Sequence, residues 1–244
     1  MSDWEKHLIV LREPHSPPSE ALRSLRARLS RNLASGKRRL AILSSWPGEG
    51  KSQVSINVAA LLAQLSLKTV LVDGDLRKPT LTSVFSLEDR LGLSDVLEGR
   101  CTLAQATVPT GYDNLFVIPR GQARGNPANI LGREIMGPVF DELKEFGCAL
   151  VDTPPLSACG DAQLIATHLD GAVIVVNPDR WQGEAERRYL RQVREIGLEI
   201  LGVVINGADN KHFAQGYGYG YGYGYGYGYG YGDNGRSSEN GKKG

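Results

Sequence analysis

The sequence lacks any apolar run near the roughly 18 residues that a helix needs to cross a bilayer. Its first residues, Met1-Ser2-Asp3-Trp4-Glu5-Lys6, show no secretory pattern. These absences point to a cytoplasmic chain, held by another protein if it works at the inner face of a membrane. Cysteine is scarce: Cys101, Cys148 and Cys159 are an odd number without paired spacing, so reduced thiols are expected rather than a disulfide framework. Charge of one sign is missing too. The 28 Lys and Arg against 27 Asp and Glu leave a formal net charge of +1, which gives no reason to expect a nucleic-acid partner.

What is present reads as one α/β body, residues 1–210, followed by an appendage, residues 211–244. Pro14, Pro17 and Pro18 punctuate an extended lead-in. Ser19 is then placed as the N-cap of a helix that runs to Ser35 and is closed by Gly36. Leu22, Leu25, Leu29 and Leu33 fall within an ~80° sector at ~100° per residue and form its buried stripe. Strands are expected at Leu40–Leu43, Thr69–Asp73, Asn114–Ile118, Cys148–Asp152, Ala172–Val176 and Ile200–Asn206. Helical patterns lie at Ser52–Leu65, Asp141–Phe146 and Gln182–Ile196. Strands alternating with helices predict a mostly parallel sheet with helices on both faces, which binds ligands at the carboxyl edge of its strands.

Three segments carry chemistry to that edge. Ser45-Trp46-Pro47-Gly48-Glu49-Gly50-Lys51-Ser52 lies between a strand and a helix, the context in which such a loop cradles phosphate. Gly48 and Gly50 let backbone N–H groups curl around an anion, and the following helix turns its positive end toward it. Lys51 supplies a charge for the β and γ phosphates, Ser52 a hydroxyl for Mg²⁺, and Glu49 and Gln53 complete the expected ATP-binding run. Ser45 stands where the usual pattern has glycine. Val72-Asp73-Gly74-Asp75 ends a buried strand with two carboxylates: Asp73 can take a proton from an attacking hydroxyl, Asp75 can hold magnesium waters. The same residue types also make a good solvated turn. Val151-Asp152-Thr153-Pro154-Pro155 ends a third strand in an acid that suits the metal site of a phosphate-loop enzyme.

P-G-E-G-K-S, V-L-V-D-G-D-L-R-K-P and V-D-T-P-P, in that order, resemble the Walker A, A′ and B motifs of the bacterial tyrosine kinases of polysaccharide export. The likeness runs from about Pro14 to Ala208 and takes in Gly92-Leu93-Ser94-Asp95-Val96-Leu97 and Asp161-Ala162. It implies a P-loop NTPase fold and ATP-dependent tyrosine autophosphorylation with Mg²⁺. Lys51, Asp73, Asp75 and Asp152 would be the catalytic set; Ser52, Asp75 and Asp152 would be the metal ligands. It further implies that Glu20, Arg23 and Arg26, on the lead-in helix within residues 1–36, build a ring-shaped homo-oligomer. Partners would be a separate membrane adaptor of the polysaccharide co-polymerase type and a tyrosine phosphatase. A partition-type ATPase switch is the rival reading. That class carries a lysine where Trp46 stands, and Pro47 replaces its first glycine.

The appendage contains Tyr217, Tyr219, Tyr221, Tyr223, Tyr225, Tyr227, Tyr229 and Tyr231, each followed by glycine. Alternate glycines remove packing partners and raise backbone entropy, so the run is not expected to fold alone. It offers eight phenols as phosphoacceptors. A sticky low-complexity segment without a catalytic role is the alternative.

Overall fold

Seven strands, β1 (Arg39–Ser44), β2 (Thr69–Asp73), β3 (Val108–Pro109), β4 (Leu115–Ile118), β5 (Cys148–Asp152), β6 (Gly171–Val176) and β7 (Ile200–Ile205), form one sheet. Their spatial order is β3-β4-β2-β5-β1-β6-β7. The computed structural model describes residues 3–208. The chain divides into two units, Met1–Asp209 and Asn210–Gly244, and the eight predicted phosphoacceptor tyrosines lie outside the described residues. Every strand pair is parallel except β3 with β4. A parallel sheet is covered on both faces, so its strands read as continuous apolar runs instead of alternating ones. β2, β5 and β6 are accordingly buried at every residue.

Side chains still alternate between faces, and the core divides accordingly. Cys148 and Leu150 join one cluster with Leu40, Ile42, Leu71 and Val173. Ala149 and Val151 join the other with Ala41, Leu43, Val72 and Ile174. The helices are α1 (Ile9–Arg12), α2 (Pro17–Ala34), α3 (Lys51–Ala63), α4 (Thr80–Val84), α5 (Leu93–Leu97), α6 (Leu103–Ala106), α7 (Pro127–Leu131), α8 (Met136–Glu142), α9 (Asp161–Ala166) and α10 (Glu184–Glu195). Residues of α2 and α3 fill the first cluster; residues of α5 to α10 fill the second. α3 is apolar on all sides, and eleven of its thirteen residues are buried.

Two expectations about the lead-in need correcting. It is not extended: Asp3–His7 is a 3-10 turn followed directly by α1. Trp4, Leu8 and Val10 supply the apolar contacts that hold it down, with the Trp4 ring 4.8 Å from that of Phe85. The cap of α2 is Ser16, not Ser19: Ser16 is extended and its Oγ accepts from the Ser19 N–H. Pro17 and Pro18, with φ already near the helical value and no N–H to waste, take the first two helical positions. Ser19 is buried inside the first turn and donates its hydroxyl to the Glu13 carbonyl at 2.7 Å. Leu25, Leu29 and Leu33 form the buried stripe, with Leu22 partly buried beside it.

Candidate active site

The loop after β1 closes on itself before α3 begins. Gly48 and Gly50 adopt φ of +77° and +93°, a region that L side chains avoid. A Cβ on Gly50 would also come 2.1 Å from Asn206 Nδ2. That amide donates to the Glu49 carbonyl at 2.9 Å, tying the loop to the end of β7. Glu49 turns its side chain away from the cleft. Its carboxylate points inward and is almost fully buried, accepting the Trp46 N–H at 2.8 Å and the Asn177 N–H at 3.0 Å. It braces the loop against the end of β6 and is absent from the lining of the cleft beside it. Gln53 does line the cleft, and its amide donates to the His7 carbonyl.

That cleft, about 460 Å³, is lined by Gly48, Gly50, Lys51, Ser52, Asp75, Arg77 and Lys78, among others. Of the predicted acids only Asp75 lines it; Asp73 and Asp152 stand buried on neighbouring strands. β2 and β5 run in register, so Asp73 lies directly opposite Asp152. The Asp152 carboxylate accepts from Ser52 Oγ at 2.5 Å and from Ser55 Oγ at 3.4 Å. Burial pushes its pKa up to about 6, opposed by the Lys51 charge and the Ser52 hydroxyl.

Asp73 is fully buried. Its Oδ2 accepts from both the N–H and the hydroxyl of Thr82, each at 2.7 Å. Its Oδ1 has no hydrogen-bond partner among the described residues. Burial raises its pKa to about 7 despite Thr82, and the Asp152 and Asp75 charges push the same way. Asp75 is half-buried, and its Oδ1 accepts the N–H groups of Arg77 (3.1 Å) and Lys78 (2.9 Å). The turn chemistry and the acid cluster foreseen for this segment therefore coexist in one loop. Hard oxygens of Ser52, Asp75 and Asp152 beside a glycine-rich, lysine-bearing loop fit a magnesium nucleotide.

The loop and the cleft have further polar neighbours with no signature in the sequence. Arg180, just after β6, donates from Nη1 to the Pro47 carbonyl at 3.1 Å, and its Nη2 lies 3.4 Å from where a Cβ on Gly48 would sit. Arg77 is held over the rim by buried Asp161, with Nε to Oδ2 at 2.7 Å. Trp46 turns away from the loop: its Nε1 donates to Glu186 at 2.5 Å and its ring meets Tyr189 edge-on at 5.8 Å. On α2, Arg23 pairs with Glu20 of its own helix at 2.5 Å and donates to the Pro14 carbonyl at 2.6 Å. Arg26 is half-buried on the same helix.

Comparison with known proteins agrees with this geometry. A family model described as ParA, NUBPL iron-transfer P-loop NTPase, matches residues 35–214. The chain is 33% identical over 221 residues to tyrosine-protein kinase YwqD of Bacillus subtilis, covering 88% of this chain and 92% of that one. The chain belongs to the bacterial tyrosine-protein kinases. Tyrosine-protein kinase CpsD of Streptococcus pneumoniae is 32% identical over 176 residues, 70% of this chain and 76% of that protein. Among solved structures, the kinase domain of Escherichia coli tyrosine kinase ETK superposes with a TM-score of 0.78 at 27% identity, covering 91% and 92% of the two chains. The chimerical protein CapA2B2 gives a TM-score of 0.76 at 32% identity, covering 82% and 89%. MinD of Pyrococcus horikoshii, complexed with Mg-ADP, gives 0.62 at 26%, covering 71% and 72%. Nucleotide and Mg²⁺ use follows from membership of this P-loop family. No helix among the described residues is long and apolar enough to cross a membrane.

Two motifs that marked the likeness turn out to serve the frame of the kinase fold. Asp95 accepts the N–H groups of Gly92 and Gln122, each at 2.9 Å, and is gripped by Arg100 at 2.6 Å. It thereby pins α5 to the loop after β4. Gly92 is required because a Cβ there would meet the Pro119 carbonyl at 2.1 Å. Asp161 acts through Arg77 as described above. Both acids act through partners distant in the chain, so neither role has a signature in the sequence.

Proposed function

We propose that this chain is an ATP-dependent protein-tyrosine kinase that transfers the γ-phosphoryl group to Tyr217, Tyr219, Tyr221, Tyr223, Tyr225, Tyr227, Tyr229 and Tyr231 of another copy, and that it thereby regulates polysaccharide synthesis and export. The observation that carries the reading is the register pair Asp73–Asp152 beside Lys51, at the mouth of a phosphate loop, in a chain that also bears an array of eight phenols. Backbone N–H groups of the loop and Lys51 hold the phosphates in line. Ser52, Asp75 and Asp152 would hold Mg²⁺, which would offset the charge that develops on the transferred group. Asp73 accepts the phenol proton: Thr82 fixes one of its oxygens and leaves the other uncommitted. The carboxylate is enclosed, so the phenol has to penetrate the cleft to reach it.

From Tyr217 to Tyr231 an extended chain spans at most about 50 Å, enough to reach a neighbouring copy, and the tether raises the effective concentration of acceptor. In this reading a ring forms through Glu20, Arg23 and Arg26. A membrane adaptor of the co-polymerase type brings the cytoplasmic ring to the inner face of the membrane, and a tyrosine phosphatase resets it.

The ParA-type family model and the MinD neighbour also favour a nucleotide switch that dimerises and releases phosphate without modifying itself. Trp46, committed to Glu186 and Tyr189, stands against it. Incubation with γ-labelled ATP decides between them, comparing the full chain, Lys51→Met and a chain ending at Ala214. Label on the full chain that is lost in both variants supports the kinase. Free phosphate with an unlabelled chain overturns it in favour of the switch.

A further inference from the structure

The cleft runs on past the phosphate loop. Ile56 lies on α3 one turn beyond Ser52 and on the same side, about 6 Å further from the loop. It lines the cleft together with His7, Thr80 and Val84, residues to which the proposed reaction gives no task. Thr80 and Val84 share one side of α4. The lead-in closes the third side. The His7 carbonyl accepts from Gln53 Nε2 and from Asn57 Nδ2, the latter at 2.9 Å, and Asn57 Oδ1 accepts the Val10 N–H at 3.3 Å. The backbone does this anchoring, and the half-buried His7 imidazole takes no part in it. The Trp4 ring lies 4.8 Å from that of Phe85, the C-cap of α4, and Asp73 Oδ2 holds Thr82 in the middle of the same helix. Lead-in, α3 and α4 thus form one slot whose frame is fastened to Asp73.

The sheet order says which end of a nucleotide meets the slot. β6 and β7 lie on one side of β1, β5 and β2 on the other. Arg180 and Asn206 touch the loop from the β6–β7 side and do not line the cleft. Asp152 and Asp73 end β5 and β2, and the slot continues on their side, beside α4. It therefore starts where a transferred phosphoryl group would stand and leads outward. Its walls, Ile56 and Val84, are apolar. Its inner end is polar, with Ser52, Asp75 and, buried against α4, the Asp73 Oδ1 that lacks a partner among the described residues. A flat apolar ring with a hydroxyl at its far end matches that profile. A serine hydroxyl, one carbon from the backbone, would stop short of an enclosed carboxylate. Glycine on either side of the acceptor lets the peptide backbone come close to the mouth.

We infer that this slot is the acceptor subsite: the ring of a substrate tyrosine lies between Ile56 and Val84, with His7 at the mouth, and its hydroxyl reaches Asp73. The inference rests on the kinase reading and adds to it the residues that select the acceptor. The phenol oxygen bonds to the γ-phosphorus, the bridging oxygen departs with ADP, and the phenol proton passes to Asp73. The lead-in then serves the choice of acceptor and not the binding of ATP.

The test is steady-state labelling of a peptide of four Gly-Tyr units by the full chain with γ-labelled ATP, peptide and chain being separated before counting. His7→Ala with Val84→Ala should raise KM for the peptide by about fivefold or more and leave KM for ATP unchanged. His7→Ala keeps the carbonyl that anchors the lead-in, and Val84→Ile, which keeps the apolar wall, should hold the peptide KM near that of the wild type. Thr80 is exposed, so Thr80→Trp keeps the fold even if Val84→Ala does not. Its indole should fill the slot and cut peptide labelling at least about tenfold while a fluorescent ATP analogue still binds. An unchanged peptide KM in the alanine variant, or undiminished labelling by Thr80→Trp, overturns the inference. So does a raised KM for ATP with the peptide unaffected, which would give the slot to the nucleotide. A wild type that labels its own tyrosines but not the peptide sinks the slot alone; one that labels neither sinks the kinase reading and the slot with it.

Discussion

Two pairs of carboxylates in this fold are treated in opposite ways. Asp95 and Asp170 are saturated. Asp170 accepts the N–H groups of Arg38 (2.9 Å) and Arg39 (2.8 Å) and pairs with the Arg39 guanidinium at 2.7 Å. For both acids burial pushes the pKa up, but arginine and backbone N–H groups outweigh it and leave them below the ordinary carboxylate range. Asp73 and Asp152 are as deeply buried as Asp95 and more deeply than Asp170, yet they lack a comparable arginine and are pushed up to about 7 and about 6. An acid whose task is to hold the frame is surrounded by donors. The two acids to which the proposed mechanism gives a proton or a metal are the ones left short of donors.

That contrast can be broken by mutation. Asp95→Ala strands two backbone N–H groups and Arg100, and should cost about 3 kcal/mol, lowering Tm by roughly 10 °C in a thermal melt. Asp152→Asn removes the acid that Ser52 holds. It should cut autophosphorylation at least about a hundredfold while moving Tm little, because the amide still accepts from Ser52. Asp170→Asn should cost about 1–2 kcal/mol. Its folded pKa lies below the unfolded value near 3.9, so its contribution is present above that pH and is lost as pH falls through the folded value. Parallel melts of the wild type and Asp170→Asn should therefore differ at pH 6 and begin to draw together only below about pH 4. The smallest effect is expected at the rim. Arg180→Ala should raise KM for ATP by about fivefold with kcat nearly unchanged, since it removes one exposed charge over the loop.

How much of this was legible depended on the length of each signal. β2 and β5 were read to the residue, because a short apolar run ending in Asp and then Gly or Thr-Pro leaves no other boundary. The phosphate loop and the acids Asp73 and Asp152 followed, since a parallel sheet delivers strand ends to one edge. α4, α5, α6, α7 and α9 escaped: at four to six residues they are too short for a 3.6-residue period to register. The two-residue β3 escaped for the same reason. The inward turn of the Glu49 side chain escaped, because a loop motif says which residues are near phosphate, not which way each side chain turns. Arg180, Asn206 and Thr82 belong to distant segments, and only the folded sheet brings them to the loop and to Asp73.

Asp73→Asn tests the central claim most directly, with two readings on one preparation. The folded pKa of Asp73, about 7, lies above the unfolded value, so burying its charge costs stability that grows as pH rises from about 4 through 7. The asparagine can still accept from Thr82 but carries no charge. At pH 8 without nucleotide, the variant should melt about 2–4 °C higher than the wild type. Its transfer of label from ATP to tyrosine should fall at least about a hundredfold. A variant that melts lower and still labels its tyrosines would contradict the account.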